Sequence, residues 1–130
     1  MTVRALLDTH ALLWWLLDLA PLSPIARAAV GDADNEIFVS AVTAWEISIK
    51  YGQGKLPQAA ALMTDLSRAI ADEGFAELPV TVKNGEVAGT LPLHHRDPFD
   101  RMLIAQALGA SLTLVSNEQL FDRYGVARLW

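Results

Sequence analysis

The stretch that decides the fold is His94-His95-Arg96-Asp97-Pro98-Phe99-Asp100-Arg101, which continues into an apolar run from Met102 to Leu108. The run is hydrophobic almost all the way round a helical projection, so it predicts a helix buried between other layers. Asp97 followed by Pro98 is typical of a helix start, because an acidic side chain caps free N–H groups and proline lacks one. Asp100 falls about one turn later, close to the buried side, where an unpaired charge is costly and needs a partner.

The composition limits what this partner is. The 130 residues are 52% hydrophobic and 19% charged, with a net charge of −5. We expect one domain spanning residues 1–130, with apolar surface left over for a protein partner. The negative charge provides no general attraction for nucleic acid, so a phosphate-handling site must be local and use a cation. The absence of cysteine excludes disulfides and thiolate metal sites, and it fits a reducing compartment.

The N-terminal region superficially resembles a secretory signal, because Arg4 precedes the apolar run from Ala11 to Leu17. Asp8, His10 and Asp18 interrupt or end that run, and the segment from Leu12 to Leu17 is far too short to span a bilayer. We therefore interpret this region as part of the fold and expect no membrane association.

Strand-like and helix-like segments alternate along the chain. Buried strands are predicted at residues 3–7, 37–39, 75–78 and 112–115, and an edge strand at 126–130. Helices are predicted at residues 9–19, 25–30, 42–51, 57–71 (alanine-rich), 82–88 and 118–124, besides the central helix after Asp97. Such alternation predicts an α/β fold in which a parallel sheet is covered on both faces.

Ligands of parallel sheets bind beyond the carboxyl ends of the strands. Asp8 ends the first strand, and Ser116-Asn117-Glu118 follow the strand at 112–115. Glu46 lies early in the helix after the second strand, and Asp100 lies in the first turn of the central helix. Four acidic side chains from separate segments are therefore candidates for one edge of the sheet.

Each acidic residue also has a simpler structural explanation. Asp8, Asp97 and Glu118 fit positions that cap or begin a helix, and Asp100 is favoured near a helix N-terminus by the macrodipole. Glu46 and Lys50 have the spacing of an ordinary surface ion pair. If the acids converge, however, they repel one another unless a cation lies among them. Ligation by carboxylates alone suits a hard cation such as Mg²⁺ or Mn²⁺, which keeps water ligands and binds phosphate.

The ordered motifs resemble those of the PIN-domain family, specifically VapC-type toxin ribonucleases of type II toxin–antitoxin pairs. The resemblance rests on four stretches that together span the chain: Leu6 to Trp14, Ser40 to Lys50 with Trp45-Glu46-Ile47, His95 to Arg101 with Ile104 to Ala107, and Leu114 to Glu118 with Phe121 and Tyr124 to Val126. It implies a three-layer α/β/α PIN-like fold with a central, mainly parallel sheet of four or five short strands. It also implies Mg²⁺-dependent cleavage of RNA in the cytoplasm and a cognate antitoxin that blocks the site. Excess apolarity together with the resemblance predicts a homodimer.

The resemblance assigns Asp8, Glu46 and Asp100 to the family's three main acidic positions, as catalytic residues and metal ligands. Glu118 is a fourth catalytic candidate at a position where the family usually has Asp or Asn, so its longer side chain is expected to act through water. Asp97, Arg101, Ser116, Asn117 and Thr9 are expected around these ligands or in contact with phosphate.

The basic and aromatic residues allow several interpretations. Arg101, Arg96 and Lys50 are candidates for phosphate contacts, although Arg101 is equally suited to an ion pair with neighbouring acids. His10, His94 and His95 are interpreted as structural or loop residues, with His95 possible as support behind the ligands. Trp14 and Trp15 cannot face the same way on a helix, so one of them is a candidate for a binding surface.

Two further functions remain open on the sequence alone. The chain would be a catalytically inactive PIN-like binding or scaffold module if its acids only cap helices and pair with arginines. It would be another Mg²⁺-dependent phosphohydrolase if the acidic site acts on a substrate other than RNA.

Overall fold

A computed structural model, which describes residues 2–130, contains a five-stranded parallel sheet. Its strands are β1 (Arg4–Leu7), β2 (Glu36–Ser40), β3 (Ala76–Leu78), β4 (Thr113–Val115) and β5 (Arg128–Leu129). They lie in the order β3-β2-β1-β4-β5, so β1 is the central strand. In register, Leu6 of β1 lies beside Phe38 of β2 and Leu114 of β4. The parallel sheet predicted from the sequence is confirmed.

Helices connect the strands and flank the sheet, as the alternating pattern predicted. They are α1 (Thr9–Leu16), α2 (Pro24–Gly31), α3 (Ala41–Gly52), α4 (Leu66–Asp72), α5 (Val82–Thr90) and α6 (Pro98–Ala110). Short 3-10 helices occupy Pro57–Ala59, Leu62–Thr64 and Gln119–Tyr124.

The side chains of β1 alternate between two hydrophobic cores, because successive residues of a strand point to opposite faces of the sheet. Ala5 and Leu7 pack in the core with α1, α2 and α4, whereas Leu6 packs in the other core with Leu103 and Ile104 of α6. A sheet covered on both faces explains why β1 has no polar residue between Arg4 and Asp8.

The predicted helix starts are confirmed at three of the positions that matter for function. Asp8 caps α1, Ser40 caps α3, and Asp97 caps α6 by accepting hydrogen bonds from the backbone N–H groups of Phe99 and Asp100. The caps fix where each helix begins, and in α6 the cap therefore fixes the position of Asp100 in the first turn.

The prediction of one long helix over residues 57–71 is wrong. Pro57 and Leu62 begin two separate 3-10 turns, and α4 starts only at Leu66, where the Asp65 carboxylate accepts a hydrogen bond from the backbone N–H of Arg68. Leu56, Leu62 and other apolar side chains of this segment pack against the core, so tertiary packing overrides the helix propensity of its alanines.

Most other predicted boundaries lie within two residues of those in the structure, and the larger differences are near the two ends of the chain. The first helix ends at Leu16 rather than Leu19, because Asp18 adopts the left-handed conformation with φ = 52°. The segment after Glu118 is a 3-10 helix, and the last strand is shortened to two residues. Within residues 2–130, no helix combines the length and the apolarity that crossing a bilayer requires.

The burial of α6 gives a test of the fold. Leu103 is fully buried, whereas Leu108 on the same helix is 41% exposed. We expect Leu103→Ala to lower the free energy of unfolding by about 2–5 kcal/mol, because it opens a cavity between the sheet and α6. Leu108→Ala, the matched control, is expected to cost less than about 1 kcal/mol. Urea denaturation followed by circular dichroism measures both, and equal losses would contradict the placement of α6.

Candidate active site

The carboxyl ends of β1 and β4 open onto a cavity of about 300 Å³ that contains three of the predicted acids. Asp8 follows β1 directly, and its backbone N–H donates to the carbonyl of Val115 at the end of β4 (3.1 Å). Asp8, Asp100 and Glu118 all line this cavity. A larger groove of about 390 Å³ between α3 and α4 has Glu77 as the one ionisable residue in its lining, so the smaller cavity is the better candidate for chemistry.

Asp8 is buried and helps to organise the turn that follows β1. Its Oδ1 accepts a hydrogen bond from the backbone N–H of Ala11 (2.8 Å). Burial raises the pKa of the Asp8 carboxyl above its usual value, while hydrogen bonding from the Ser116 side chain opposes this rise and the nearby Glu46 adds to it. The residue therefore caps a helix and also presents a carboxyl group to the cavity.

Asp100 is a second acid whose pKa is raised. Burial raises its pKa to about 7, and the charges of Asp97, Asp8 and Glu46 add to this rise, while Lys50 opposes it. The acids are thus close enough to repel one another, as the sequence predicted if they converged. A carboxyl group with a pKa near neutrality in a cleft is characteristic of functional sites.

His95 holds the carboxyl group of Asp100. Its Nε2 lies 2.9 Å from Asp100 Oδ2, and its Nδ1 accepts a hydrogen bond from the backbone N–H of Asp97 (3.2 Å). Because Nδ1 is an acceptor, Nε2 is the nitrogen that donates to Asp100. The backbone N–H of His95 in turn donates to the hydroxyl of Tyr124, which donates to the carbonyl of Pro92. The sequence suggested a supporting role for His95 but gave no partner for it.

Glu46 makes the ion pair with Lys50 that their spacing predicted, rather than facing the other acids in the cavity. It is buried and does not line the cavity; its Oε1 accepts a hydrogen bond from the Thr9 hydroxyl (2.6 Å), and its Oε2 pairs with Lys50. The hydrogen bond to Glu46 raises the pKa of Lys50. Glu46 therefore contributes charge to the site, but both of its oxygens already have protein partners.

Glu118, the acid that departs from the family pattern, lines the cavity together with Asn117. Its Oε1 also accepts a hydrogen bond from the backbone N–H of Leu120 (3.1 Å), and the Ser116 hydroxyl accepts one from the backbone N–H of Glu118 (3.0 Å). The turn after β4 is thus fixed by its own side chains. In this structure Glu118, rather than Glu46, shares the cavity with Asp8 and Asp100.

Arg101 makes neither of the contacts predicted for it, and this expectation is corrected. Its side chain is buried, and its guanidinium donates hydrogen bonds to four backbone carbonyls, those of Ala88, Leu91, Pro92 and His95, at 2.8–3.1 Å. Four of the five N–H groups of an arginine are therefore occupied by the segment between α5 and α6. Arg101 anchors the loop that positions His95 and is not available to phosphate.

The remaining predicted residues are distributed between the site and its surroundings. Arg96 is exposed, whereas Lys50 is paired with Glu46. His10 lines the cavity, and His94 packs its ring against Tyr124. The cavity also contains Phe121, which the sequence did not mark as a site residue, and Trp14, one of the two tryptophans that were candidates for a binding surface. The position of Trp14, two turns after Asp8 on the same helix, was the available indication.

The carboxylates of Asp8, Asp100 and Glu118 are the kind of ligand that a hard cation prefers, but they are not grouped as a ready-made metal site. Asp8, Asp100 and Glu118 offer oxygen atoms only, which Mg²⁺ and Mn²⁺ prefer. Burial is the main cause of the raised Asp100 pKa, and a positive ion would relieve the repulsion from neighbouring acids that adds to it. Within residues 2–130, no three acidic or histidine side chains are grouped closely enough to form a ready-made metal site. A cation held by one or two of these carboxylates would keep several of its water ligands.

The sequence of the chain matches a known domain family. The family model described as "PIN domain" matches residues 5–127, which include every acidic residue discussed above. No curated protein sequence matches the chain.

Solved structures share the fold at low sequence identity. A chain of VapBC2 from Rickettsia felis, bound to a DNA fragment from its promoter, has a TM-score of 0.71 at 16% identity, and 97% of each chain is covered. FitAcB from Neisseria gonorrhoeae has a TM-score of 0.58 at 19% identity, covering 98% of this chain and 96% of that one. PAE2754 from Pyrobaculum aerophilum has a TM-score of 0.56 at 16% identity, covering 98% and 92%.

The contacts of Arg101 predict a structural role that differs from phosphate binding. We expect Arg101→Leu to lower the free energy of unfolding by about 2–4 kcal/mol, because it leaves partly buried carbonyls without a donor. Arg101→Lys is expected to recover little, since an ammonium cannot reproduce the geometry of the guanidinium fork. Arg96→Leu, a change at an exposed neighbour, is the control and should be close to neutral in urea denaturation. A fully stable Arg101→Leu protein would contradict this assignment.

The raised pKa of Asp100 predicts a stability that depends on pH. The folded protein binds a proton at Asp100 up to about pH 7, whereas the unfolded chain releases it near 3.8, so this residue costs stability as pH rises through that window. We expect Asp100→Asn to raise the free energy of unfolding by about 1–3 kcal/mol at pH 8 and to change it little at pH 4. Mg²⁺ should stabilise the unmodified chain more at pH 8 than at pH 5.

Asp72→Asn is the matched control for this measurement, because Asp72 is an exposed aspartate on α4. Thermal unfolding across the pH range distinguishes the two variants. A pH profile of Asp100→Asn parallel to that of the unmodified chain would show that Asp100 does not titrate as described.

Proposed function

Because the chain belongs to the PIN-domain family, we propose that it is a divalent-metal-dependent endoribonuclease, the toxin of a type II toxin–antitoxin pair. PIN domains are generally nucleases. The observation that supports catalysis in this chain is the meeting of Asp8, Asp100 and Glu118 at one cavity, with the pKa of Asp100 raised to about 7.

The roles of the acidic residues follow from their contacts. Asp8 and Asp100 would hold Mg²⁺, or Mn²⁺ in its place, and Glu118 would act on the same ion directly or through a water molecule. When bound, the cation would lower the pKa of a coordinated water and neutralise charge that develops on the scissile phosphate. Glu46 and Asp97 contribute negative charge that favours the cation, and Thr9 and Lys50 hold Glu46 in place.

Other residues position these groups or meet the substrate. His95 orients the carboxyl group of Asp100, and Ser116 and Asn117 shape the turn beside it. Arg96, which is exposed in the segment immediately before α6, is the best placed of the three basic candidates to contact a phosphate of the RNA. Lys50 would do so only after leaving Glu46.

A cognate antitoxin and a second copy of the chain are proposed as partners. The similar structures include VapBC2 and FitAcB, and toxin–antitoxin assemblies of this kind support an antitoxin that blocks the cavity. The surface exposes several large apolar side chains, among them Ile25, Trp45, Val82 and Leu93, which are costly to leave in water. A homodimer and an antitoxin would cover such residues. An RNA-cleaving toxin of this kind would act in the cytoplasm.

A second candidate function is an inactive PIN-like binding or scaffold module. Its support is the pairing of Glu46 with Lys50, together with the lack of a preformed group of metal ligands in the described residues 2–130. Another Mg²⁺-dependent phosphohydrolase is a weaker alternative, because an acidic cavity does not specify RNA.

Cleavage of RNA by the purified chain tests the proposal. We expect single-stranded RNA to be cut in the presence of Mg²⁺ and to stay intact with a chelator. Asp100→Asn should lower the rate by at least about 100-fold, because it removes the negative charge that the cation requires. Asp72→Asn, the same change at an exposed site on α4, should leave the rate unaltered.

The outcomes separate the candidate functions. Cleavage that survives Asp100→Asn would contradict the assignment of the site. Absence of cleavage with an intact, folded chain would favour the binding module, and hydrolysis of DNA or small phosphate esters in place of RNA would favour the other phosphohydrolase.

A further inference from the structure

The acidic cavity has a second wall that is aromatic. His10, Trp14 and Phe121 line it together with Asp8 and Asp100, and the cavity volume is about 300 Å³. Metal ligation and phosphate binding have no need of these rings. A wall of this kind next to a phosphate-handling site indicates a place for the organic part of the substrate.

The rings of this wall are held in place by their neighbours. The centroid of the Trp14 ring lies 5.4 Å from that of His10 and 5.7 Å from that of Trp130, and Phe121 is fully buried, with its centroid 5.7 Å from that of His95. A supported ring loses little conformational freedom when a ligand stacks on it, so it binds more tightly than a mobile one.

The next residue on α1 shows that this placement is specific to Trp14. Trp15 packs against Phe75 and donates a hydrogen bond from its indole N–H to Glu73 (3.2 Å), and it lines a different cavity near Gly31. The sequence predicted that the two tryptophans face different ways, and only one of them reaches the acids.

Charge near the site is too small to bind a nucleic acid by its phosphates alone. The chain has a net charge of −5, Arg101 is occupied by backbone carbonyls, and Lys50 is paired with Glu46, so Arg96 is the one exposed residue among the three basic candidates. Affinity that comes mainly from phosphate contacts needs several free basic residues. Stacking of bases on aromatic rings provides affinity without them, and it accepts any base because every base has a π-face.

We propose that Trp14, with His10 beside it, forms a stacking subsite for one unpaired nucleobase next to the scissile phosphate. This inference rests on the proposed function, since it places the base of the same RNA whose phosphate the acids receive. Asn117 lines the cavity and offers both a donor and an acceptor to the edge of the base. The substrate is therefore single-stranded RNA, or a loop whose base can leave the stack, because a paired base does not expose its face.

Binding of two ligands tests the subsite without knowledge of the natural target. One ligand is a short oligouridylate, and the other is a ribose-phosphate chain of the same length that lacks all bases. Binding is measured by fluorescence anisotropy with Mg²⁺ in the Asp100→Asn chain, in which the RNA is expected to stay intact. Trp14→Leu is added to this background, with Trp15→Leu as the matched control on the same helix.

We expect Trp14→Leu to weaken binding of the oligouridylate about 5- to 150-fold, the range for one base stacked on an aromatic ring. Binding of the abasic chain should not change, and Trp15→Leu should affect neither ligand. Trp14→Phe, which keeps a ring, should recover most of the oligouridylate affinity. Melting temperatures of all variants confirm that they are folded.

The result that overturns the subsite is an equal affinity of the unmodified site for both ligands, or an equal loss from Trp14→Leu and Trp15→Leu. Conversion of a dimer to a monomer by Trp14→Leu, with RNA binding unchanged, would assign Trp14 to a protein contact and would overturn it as well. RNA cleavage by the natural sequence is measured in parallel. Cleavage without base-dependent binding refutes the subsite alone, and base-dependent binding without cleavage refutes the proposed nuclease alone.

Discussion

The repulsion among buried carboxyl groups is the constraint on which the site depends. Asp8 and Asp100 are both withdrawn from water, and Glu46 and Asp97 lie close enough to affect the pKa of Asp100. The repulsion between these carboxyl groups is unfavourable by itself. It persists because the hydrophobic cores stabilise the fold enough to offset its cost. The sheet determines the position of Asp8, the capped start of α6 determines that of Asp100, and neither can move away without disrupting a hydrophobic core.

The structure relieves part of this repulsion with fixed local partners. Lys50 pairs with Glu46, and His95 donates to Asp100. Lys50 lies one helical turn after Glu46, and His95 lies in the loop just before the helix that carries Asp100. Two of the acids are thus compensated by donors from their own segment of the chain.

The sequence predicts most of the fold and the approximate position of the site. β1 and β4 are recognisable because they are apolar runs that end at polar residues, and α6 because Asp97 and Pro98 define its start. Contacts between segments distant in sequence are harder to predict. The spacing of Glu46 and Lys50 suggests a surface pair, yet Glu46 is buried and Thr9 of another helix completes its environment. The prediction of a helix over residues 57–71 fails for the same reason, since its alanines favour a helix while its leucines pack against the core.

Arg101 shows why residue type alone does not identify a role. An arginine beside an aspartate at a helix start suggests a phosphate contact or an ion pair. Its actual partners are four carbonyls of the preceding loop, which follow no helix or strand pattern and so leave no periodic trace in the sequence. Backbone groups of irregular loops require donors as much as charges require counter-ions.

The position of β4 has a consequence for the order in which the chain acquires its chemistry. β4 pairs with β1, so the turn at residues 116–118 meets Asp8 across about a hundred residues of intervening chain. Tyr124 then fixes the loop at Pro92 and His95, and Trp130 supports Trp14. During synthesis, the cleft would thus stay incomplete until residues 113–130 have emerged from the ribosome. The acidic cavity is therefore among the last parts of the described fold to be assembled.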